Sequence, residues 1–130
     1  MQAAVLLEKL TIFDNELLMR NEVSDYYRSH LNNAQYIPKN YHSAHALFSV
    51  TLGSNQKREE LINTLKQNNI PSVVYYKYPI HLMKGFEYLG YKKGDFPVSE
   101  QLSNTIVSLP MHPYLNHSDI DSIVEILRNK

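Results

Sequence analysis

Two stripes of apolar side chains run through the first thirty residues of the chain. They comprise Leu6, Leu10, Phe13 and Leu17 in one stripe, and Val5, Ile12, Met19, Val23 and Tyr26 in the other. Both recur at the spacing of an α-helix, so the sequence predicts one long helix here. Because two stripes make the apolar face wider than contact with one small sheet requires, we expect part of it to need a further neighbour. Glu16 and Arg20, four residues apart, are expected to mark the remaining solvent-exposed side.

A loop and a strand are predicted next. Residues 32–43 are rich in asparagine and contain Pro38, a composition that favours turns. Residues 46–52 then alternate between two faces, one of which carries Ala46, Phe48, Val50 and Leu52. A period of two predicts a half-buried strand, with His45 as a half-exposed pairing residue.

Helical and extended patterns then alternate over residues 53–90. A turn at residues 53–55 leads into a short helix, whose buried side is predicted to consist of Leu61, Ile62 and Leu65. Residues 72–76 are β-branched and aromatic, which predicts a second strand that ends before Pro79. Beyond it a brief helix is predicted from Leu82, Phe86 and Leu89, with Gly90 as its left-handed cap.

Two more helices are predicted before the carboxyl terminus. Pro97 favours the start of the first one. The residues expected on its inner face are Val98, Leu102 and Ile106. Asn116 has the pattern of an N-cap, because it lies just before an apolar helical repeat and Asp119 follows three residues later.

These elements sum to an α+β fold. We expect a two-layer domain in which helices, led by the long amino-terminal one, cover a small, mostly antiparallel sheet. The 130 residues suit a single domain, 1–130, and show no internal repeat. Thirteen basic residues balance thirteen acidic ones, so charge predicts neither a nucleic-acid nor a membrane partner. Cysteine is absent and no signal-peptide pattern is present, so we expect a cytoplasmic location.

Two arrangements of side chains suggest binding sites. His42 and His45 have the spacing of metal ligands but lack acidic or thiolate company, so we predict no metal site. Tyrosines at 75, 76 and 78 lie among lysines, a mixture that can hold single-stranded nucleic acid, although the neutral net charge counts against this use. Packing on a strand is the simpler interpretation of these tyrosines. The sequence has no glycine-rich phosphate loop and no pattern of an activated nucleophile.

Three runs of residues carry a resemblance to a known family. They are Gln2, Ala3, Ala4, Leu7, Lys9 and Leu10; then Tyr76, Pro79, His81, Gly90, Tyr91, Gly94, Asp95, Phe96, Pro97 and Glu100; and finally Ser108, Leu109, Pro110, Met111, His112 and Pro113. In order and spacing they resemble the carboxyl-terminal small domain of the DegT/DnrJ/EryC1/StrS family of nucleotide-sugar aminotransferases, which use pyridoxal phosphate. The resemblance spans nearly the whole chain and implies the small-domain fold of a fold-type I aminotransferase.

The resemblance also implies that catalysis depends on polypeptide outside these residues. Family members hold pyridoxal 5′-phosphate on a lysine of a large domain, and no segment here resembles that region. We therefore expect no catalytic and no cofactor-binding residue in this chain, and interpret Lys9 and Lys77 as surface lysines. The implied function is that of a domain, inactive alone, of an enzyme that moves an amino group from glutamate or a similar donor to a nucleotide-linked keto-sugar.

By the same resemblance, His81 and Tyr76 lie near the active-site entrance, where they would contact the sugar or its phosphates. Anchoring of the loop is the alternative role, because Tyr75, Lys77 and residues 83–85 depart from the family pattern. The first helix is expected to contact a large domain or a second copy in a homodimer. A non-enzymatic interaction or dimerisation module is the alternative function.

Overall fold

The computed structural model describes residues 2–129. Its elements are helix α1 at Gln2–His30, strand β1 at Phe48–Thr51, helix α2 at Asn55–Gln67, 3₁₀ segments at Ile80–Leu82 and Lys84–Leu89, helix α3 at Pro97–Thr105, strand β2 at Ile106–Leu109 and helix α4 at His117–Arg128. The predicted α+β class, the long first helix and the antiparallel sheet are all confirmed. None of the described helices is both long enough and apolar enough to span a bilayer.

Helix α1 divides into an uncovered half and a packed half. Every residue from 2 to 15 is exposed, a length of roughly 20 Å at the rise of an α-helix. Val23, Ser24 and Tyr27 in the second half are buried, and the Tyr27 ring stacks on Phe48 of β1 at a centroid distance of 4.6 Å. The second half therefore joins the helix to the sheet, whereas the described residues leave the apolar side of the first half uncovered.

Glu16 lies at the junction of the two halves and is only 2% exposed. The prediction that it marks the solvent-facing side is therefore wrong. Lys9 and the hydroxyl of Tyr114 both donate hydrogen bonds to its Oε1 atom. A carboxylate is tolerated there because these two donors replace the water that burial removes.

The sheet has two antiparallel strands. Phe48 of β1 pairs with Leu109 of β2, and the register continues to Thr51 opposite Ile106. The prediction of a strand at residues 72–76 is wrong. Only Val73 forms a bridge, through its N–H and C=O groups to Ser108. Strand β2 was not predicted from the sequence. Its four residues lie between a helix and a proline-containing segment, and they are too few to show a period of their own.

The core lies where the sheet meets α1, α2 and α4. Its fully buried large side chains are Tyr27, Val50, Leu61, Leu65, Val107, Ile120 and Val124. Leu61 and Leu65 confirm two of the three residues predicted on the inner side of α2, and Ile62 is partly buried against the same cluster. The predicted N-cap of α4 is confirmed, because Asn116 Oδ1 accepts a hydrogen bond from the N–H of Asp119 at 2.9 Å.

Two local predictions need correction. His45 is buried at 7% exposure and lies outside β1, with φ of 46°, so it is not a half-exposed pairing residue. On α3, which starts at Pro97 as predicted, Val98 and Leu102 are 69% and 40% exposed rather than buried. The side of α3 that faces the core carries the small polar residues Ser103 and Thr105, because Arg58 of α2 packs there and donates to the Ser103 carbonyl oxygen.

Residues 75–96 form an irregular segment beside α3. The helix predicted from Leu82 to Leu89 is replaced by the two 3₁₀ segments, a tighter form that is common in short connecting pieces. Gly90 ends the second segment with φ of 75°, as predicted for a left-handed cap. This segment supplies most of the exposed aromatic side chains of the molecule, among them Tyr76, Tyr78 and Tyr88.

Candidate functional site

A groove of about 630 Å³ separates the irregular segment from α3. Its lining residues are Tyr75, Tyr76, Ile80, Asp95, Phe96, Pro97, Val98, Ser99, Leu102, Ser103 and Ile106. Most of these side chains are apolar or aromatic, and the polar ones are a carboxylate, two serine hydroxyls and two phenols. Ligand sites in proteins have this composition, in which apolar walls supply contact area and a few polar groups set orientation.

Tyr75 and Tyr76 provide the aromatic wall of the groove. Their rings meet edge to face at a centroid distance of 5.7 Å, and they are 46% and 61% exposed. Tyrosine presents an apolar ring face and a hydroxyl that both donates and accepts. The two rings can therefore offer both apolar faces and hydroxyl groups to a bound molecule. Tyr75, which departs from the family pattern, belongs to this wall.

The second residue singled out from the sequence, His81, lies differently. His81 is not among the residues that line the groove, and its side chain is only 8% exposed. Its Nε2 atom is 3.1 Å from Glu100 Oε1, and its ring packs on Phe96 at 4.8 Å. The structure therefore brings Tyr76 to the groove surface and places His81 behind it.

Glu100 belongs to the motif shared with the family, and no role was predicted for it. In the structure its carboxylate has two hydrogen-bond partners. Besides the His81 ring, its Oε1 atom accepts the N–H of Gly94 at 2.7 Å. The Gly94 hydrogen bond, followed by that of His81, lowers the pKa of the Glu100 carboxyl despite partial burial. A sequence signal for this contact existed, since a glutamate in the first turn of a helix lies close to the N–H groups of the preceding loop.

The lysines within residues 2–129 do not fit a Schiff-base site. Every lysine in residues 2–129 is exposed, and the groove lining contains none. Lys9 is half exposed and donates to Glu16, while Lys77 lies on the exposed part of the irregular segment. Because a lysine that forms a Schiff base needs a desolvated pocket, these residues do not match the requirements of pyridoxal phosphate.

The histidine spacing considered as a metal motif is not assembled into a site. His42 is exposed whereas His45 is buried, so the two side chains have different surroundings. Over residues 2–129, no three histidine, aspartate or glutamate side chains are grouped closely enough to hold a metal ion.

Comparison with known proteins identifies relatives of the whole chain. The model of the DegT/DnrJ/EryC1/StrS aminotransferase family matches residues 1–128. The dTDP-3-amino-3,4,6-trideoxy-alpha-D-glucose transaminase of Micromonospora megalomicea subsp. nigra is 33% identical, over 98% of this chain and 36% of that protein. The UDP-2-acetamido-2-deoxy-3-oxo-D-glucuronate aminotransferase of Pseudomonas aeruginosa is 32% identical, over 99% and 35% respectively. The chain thus spans about a third of the length of these curated relatives.

Solved structures agree with the sequence relatives. A DegT DnrJ EryC1 StrS aminotransferase from Brucella abortus superposes with a TM-score of 0.88 at 38% identity, over 98% of this chain and 34% of that one. DesV of S. venezuelae, solved in complex with a ketimine intermediate, gives a TM-score of 0.90 at 24% identity, over 98% and 35%, and shows the same fold. From the family match over residues 1–128, together with these similarities, we conclude that the chain belongs to the DegT/DnrJ/EryC1/StrS aminotransferase family.

Proposed function

We propose that residues 1–130 form the small domain of a pyridoxal phosphate-dependent sugar aminotransferase. In this proposal the complete enzyme moves an amino group from glutamate or a similar donor to a nucleotide-linked keto-sugar. The observation that carries it is the family match over residues 1–128 in a chain that spans about a third of its relatives. The names of two relatives, which specify a dTDP-sugar and a UDP-sugar, support a nucleotide sugar as the substrate class.

The groove is the part of this domain that we assign to the substrate. Tyr76 and Tyr75 offer ring faces to the sugar or base, and the apolar side chains of α3 exclude water from the same surface. Tyr76 contacts the ligand directly, as its exposure allows. His81, the other proposed substrate-binding residue, lies behind Phe96, whose ring lines the groove.

The cofactor chemistry belongs to polypeptide beyond the residues described. Pyridoxal phosphate supplies the carrier of the amino group in enzymes of this kind. The exposed lysines found here do not suit it, so the isolated chain is proposed to be inactive, with a cytoplasmic location for the complete enzyme. Within the complete enzyme, this domain contributes a wall of the substrate cleft.

Addition of pyridoxal phosphate to the purified chain tests this division of labour. We expect no visible absorbance band of an aldimine, and no lysine modified after borohydride reduction above the level of a denatured control. A borohydride-stable adduct at one defined lysine would overturn the proposal that the cofactor site lies elsewhere. The substrate half is tested separately by titration with UDP-N-acetylglucosamine and dTDP-glucose, which should shift the amide resonances of Tyr76 and Phe96.

A second proposed function, that of an interaction or dimerisation module, is favoured by the uncovered half of α1. Its exposed large apolar side chains are Val5, Leu6, Leu7, Leu10, Ile12 and Phe13, with exposed fractions from 42% to 67%. Large apolar side chains exposed in this number are typical of a protein contact. The proposed partner is the remainder of the enzyme, or a second copy of this chain in a homodimer.

Size-exclusion chromatography with light scattering tests this surface. We expect the isolated chain to self-associate, and we expect Leu6→Glu with Leu10→Glu to restore a monomer because charges on the face oppose its burial. A monodisperse monomer of the unchanged chain at high concentration would contradict the requirement for a partner. Paired substitution of the exposed residues Gln67 and Gln101 by glutamate, away from α1, is the matched control.

A further inference from the structure

One carboxylate oxygen connects two separate stretches of chain beside the groove. Glu100 Oε1 accepts the backbone N–H of Gly94 at 2.7 Å and lies 3.1 Å from His81 Nε2. Gly94 belongs to the loop that leads into α3, and His81 belongs to the first 3₁₀ segment. Glu100 itself is on the first turn of α3, so three structural elements meet at a single atom.

The side chains that make these contacts are largely shielded from water, although the Gly94 backbone is exposed. The side chain of His81 is 8% exposed and that of Glu100 is 15% exposed. The Phe96 ring packs on the His81 ring at a centroid distance of 4.8 Å and on Tyr91 at 4.9 Å. Hydrogen bonds to a carboxylate in a partly buried setting are stronger than those on an open surface. The two contacts therefore connect the loop and the first 3₁₀ segment to α3.

The same elements carry the walls of the groove. Ile80, the neighbour of His81, lines one part of it, and Asp95 and Phe96, which follow Gly94, line another. Gly94 has φ of 99°, a conformation that favours glycine, so the loop approaches Glu100 by a turn that other residues would strain. Glu100 therefore contacts a residue next to each of these walls.

We propose that His81 and Glu100 are positioning residues, which set the width of the groove. Glu100 holds the loop and the 3₁₀ segment together, and His81 influences a bound nucleotide sugar through Glu100 rather than by touching it. The ligand part of this inference rests on the function proposed above. The part that concerns the width of the groove is independent of that function.

Nuclear magnetic resonance of the 130-residue chain tests both parts. The variants are Glu100→Ala, Glu100→Gln, His81→Ala and the double His81→Ala with Glu100→Ala. Gln101→Ala, an exposed neighbour on α3, is the control. The measurements are hydrogen exchange of the Gly94 amide, its chemical shift against pH, and the Kd for UDP-N-acetylglucosamine.

For the walls, we expect Glu100→Ala to accelerate exchange of the Gly94 amide about tenfold, while Gln101→Ala leaves it unchanged. The Gly94 shift should follow the titration of Glu100 in the unchanged chain and lose that titration in Glu100→Gln. In His81→Ala the titration midpoint should move up, towards that of an ordinary glutamate. Unchanged exchange and shift in a folded Glu100→Ala variant would overturn the inference.

For the ligand, we expect Glu100→Ala and His81→Ala each to raise the Kd by roughly five- to tenfold. The double variant should bind no more weakly than Glu100→Ala alone, because both residues act through one connection. A further loss in the double variant would show that His81 contacts the ligand itself. If the unchanged chain does not bind the nucleotide sugar, the proposed substrate surface fails, and the Gly94 measurements still decide the positioning role.

Discussion

The hydroxyl of Tyr114 donates a hydrogen bond to Glu16, a residue 98 positions earlier in the chain. This contact joins the middle of α1 to the turn that precedes α4, and Lys9 donates to the same oxygen. The two hydrogen bonds, that of Lys9 first, lower the pKa of the Glu16 carboxyl. A carboxylate held in this way ties the uncovered half of α1 to the folded core.

Substitution of Tyr114 by phenylalanine should reduce the change in unfolding free energy between neutral and acid pH. Because the folded-state pKa of Glu16 is lowered, its ionised form stabilises the fold above the unfolded value of about 4.3, and this contribution disappears as pH falls through the folded value. Tyr114→Phe should therefore lower the unfolding free energy near neutral pH and have little effect in acid. Urea denaturation at several pH values measures this.

The control for that experiment is Tyr88→Phe, which removes a hydroxyl from a tyrosine that is 80% exposed. It should leave the unfolding free energy unchanged at every pH. Equal pH profiles for Tyr114→Phe and the unchanged chain would show that the contact with Glu16 contributes nothing in solution.

Two leucines should respond differently to the same substitution. Leu61 on α2 is completely buried, so Leu61→Ala removes packing and leaves a cavity, with an expected loss of about 2–5 kcal/mol. Leu6 on α1 is 61% exposed, so Leu6→Ala should change the unfolding free energy by less than about 0.5 kcal/mol. Both values come from urea denaturation of the monomer at low concentration. A large loss for Leu6→Ala there would mean that the first half of α1 is covered within the chain.

Arg58 should be needed to hold α3 against α2. Its side chain is 5% exposed, and its guanidinium donates to the Ser103 carbonyl oxygen and to Glu59. Arg58→Ala leaves that buried carbonyl oxygen without its donor, so we expect a loss of about 1–3 kcal/mol. Arg58→Lys should recover only part of it, because an ammonium group cannot reproduce the planar set of donors.

Lys57→Ala provides the comparison, since Lys57 is the adjacent residue on α2 and is exposed. Thermal unfolding followed by circular dichroism ranks the three variants. Equal melting temperatures for Arg58→Ala and Lys57→Ala would contradict the assigned role of Arg58.

His45 should make the fold sensitive to mild acid. Burial lowers the pKa of its imidazole, and the charge of Arg28 adds to this effect, whereas Asp25 opposes it. Because the folded value lies below the unfolded value of about 6.5, the fold loses stability as pH falls below 6.5, until the folded form also binds the proton. His45→Asn should remove this dependence, and asparagine tolerates the φ of 46° at this position.

The measurement is the unfolding free energy between pH 7.5 and 5 for both chains. His42→Asn is the control, because His42 is exposed. If His45→Asn retained the full pH dependence, the dependence would have to come from another group.

Much of the fold followed from local patterns. The apolar repeat of α1 and the N-cap at Asn116 were both visible in the sequence, because a helix is held by contacts within a few residues. The alternation over residues 46–52 likewise predicted β1. The sheet partner was not visible: Val73 and its neighbours have a stronger strand propensity than the residues that pair, yet β2 formed from a four-residue segment beside α3.

The candidate site was predicted only in part. Tyr76 was identified through the family motif and lies at the groove surface. The contact between His81 and Glu100 was not predicted, although both residues were in the motif, because 19 positions separate them and no periodicity relates them. The burial of Glu16 was predicted incorrectly because its donor Tyr114 comes from a distant turn.

The sequence by itself determined helices α1 to α4, the first strand and the family, since helical periodicity, capping and motif spacing are properties of neighbouring residues. Only the tertiary structure decided that β2 pairs with β1, that Glu16 is buried and that His81 reaches Glu100. Each of these features depends on which segments, distant in the sequence, pack together in the fold. That choice is made by packing and hydrogen-bond satisfaction across the whole domain, and a local pattern of polar and apolar residues does not contain it.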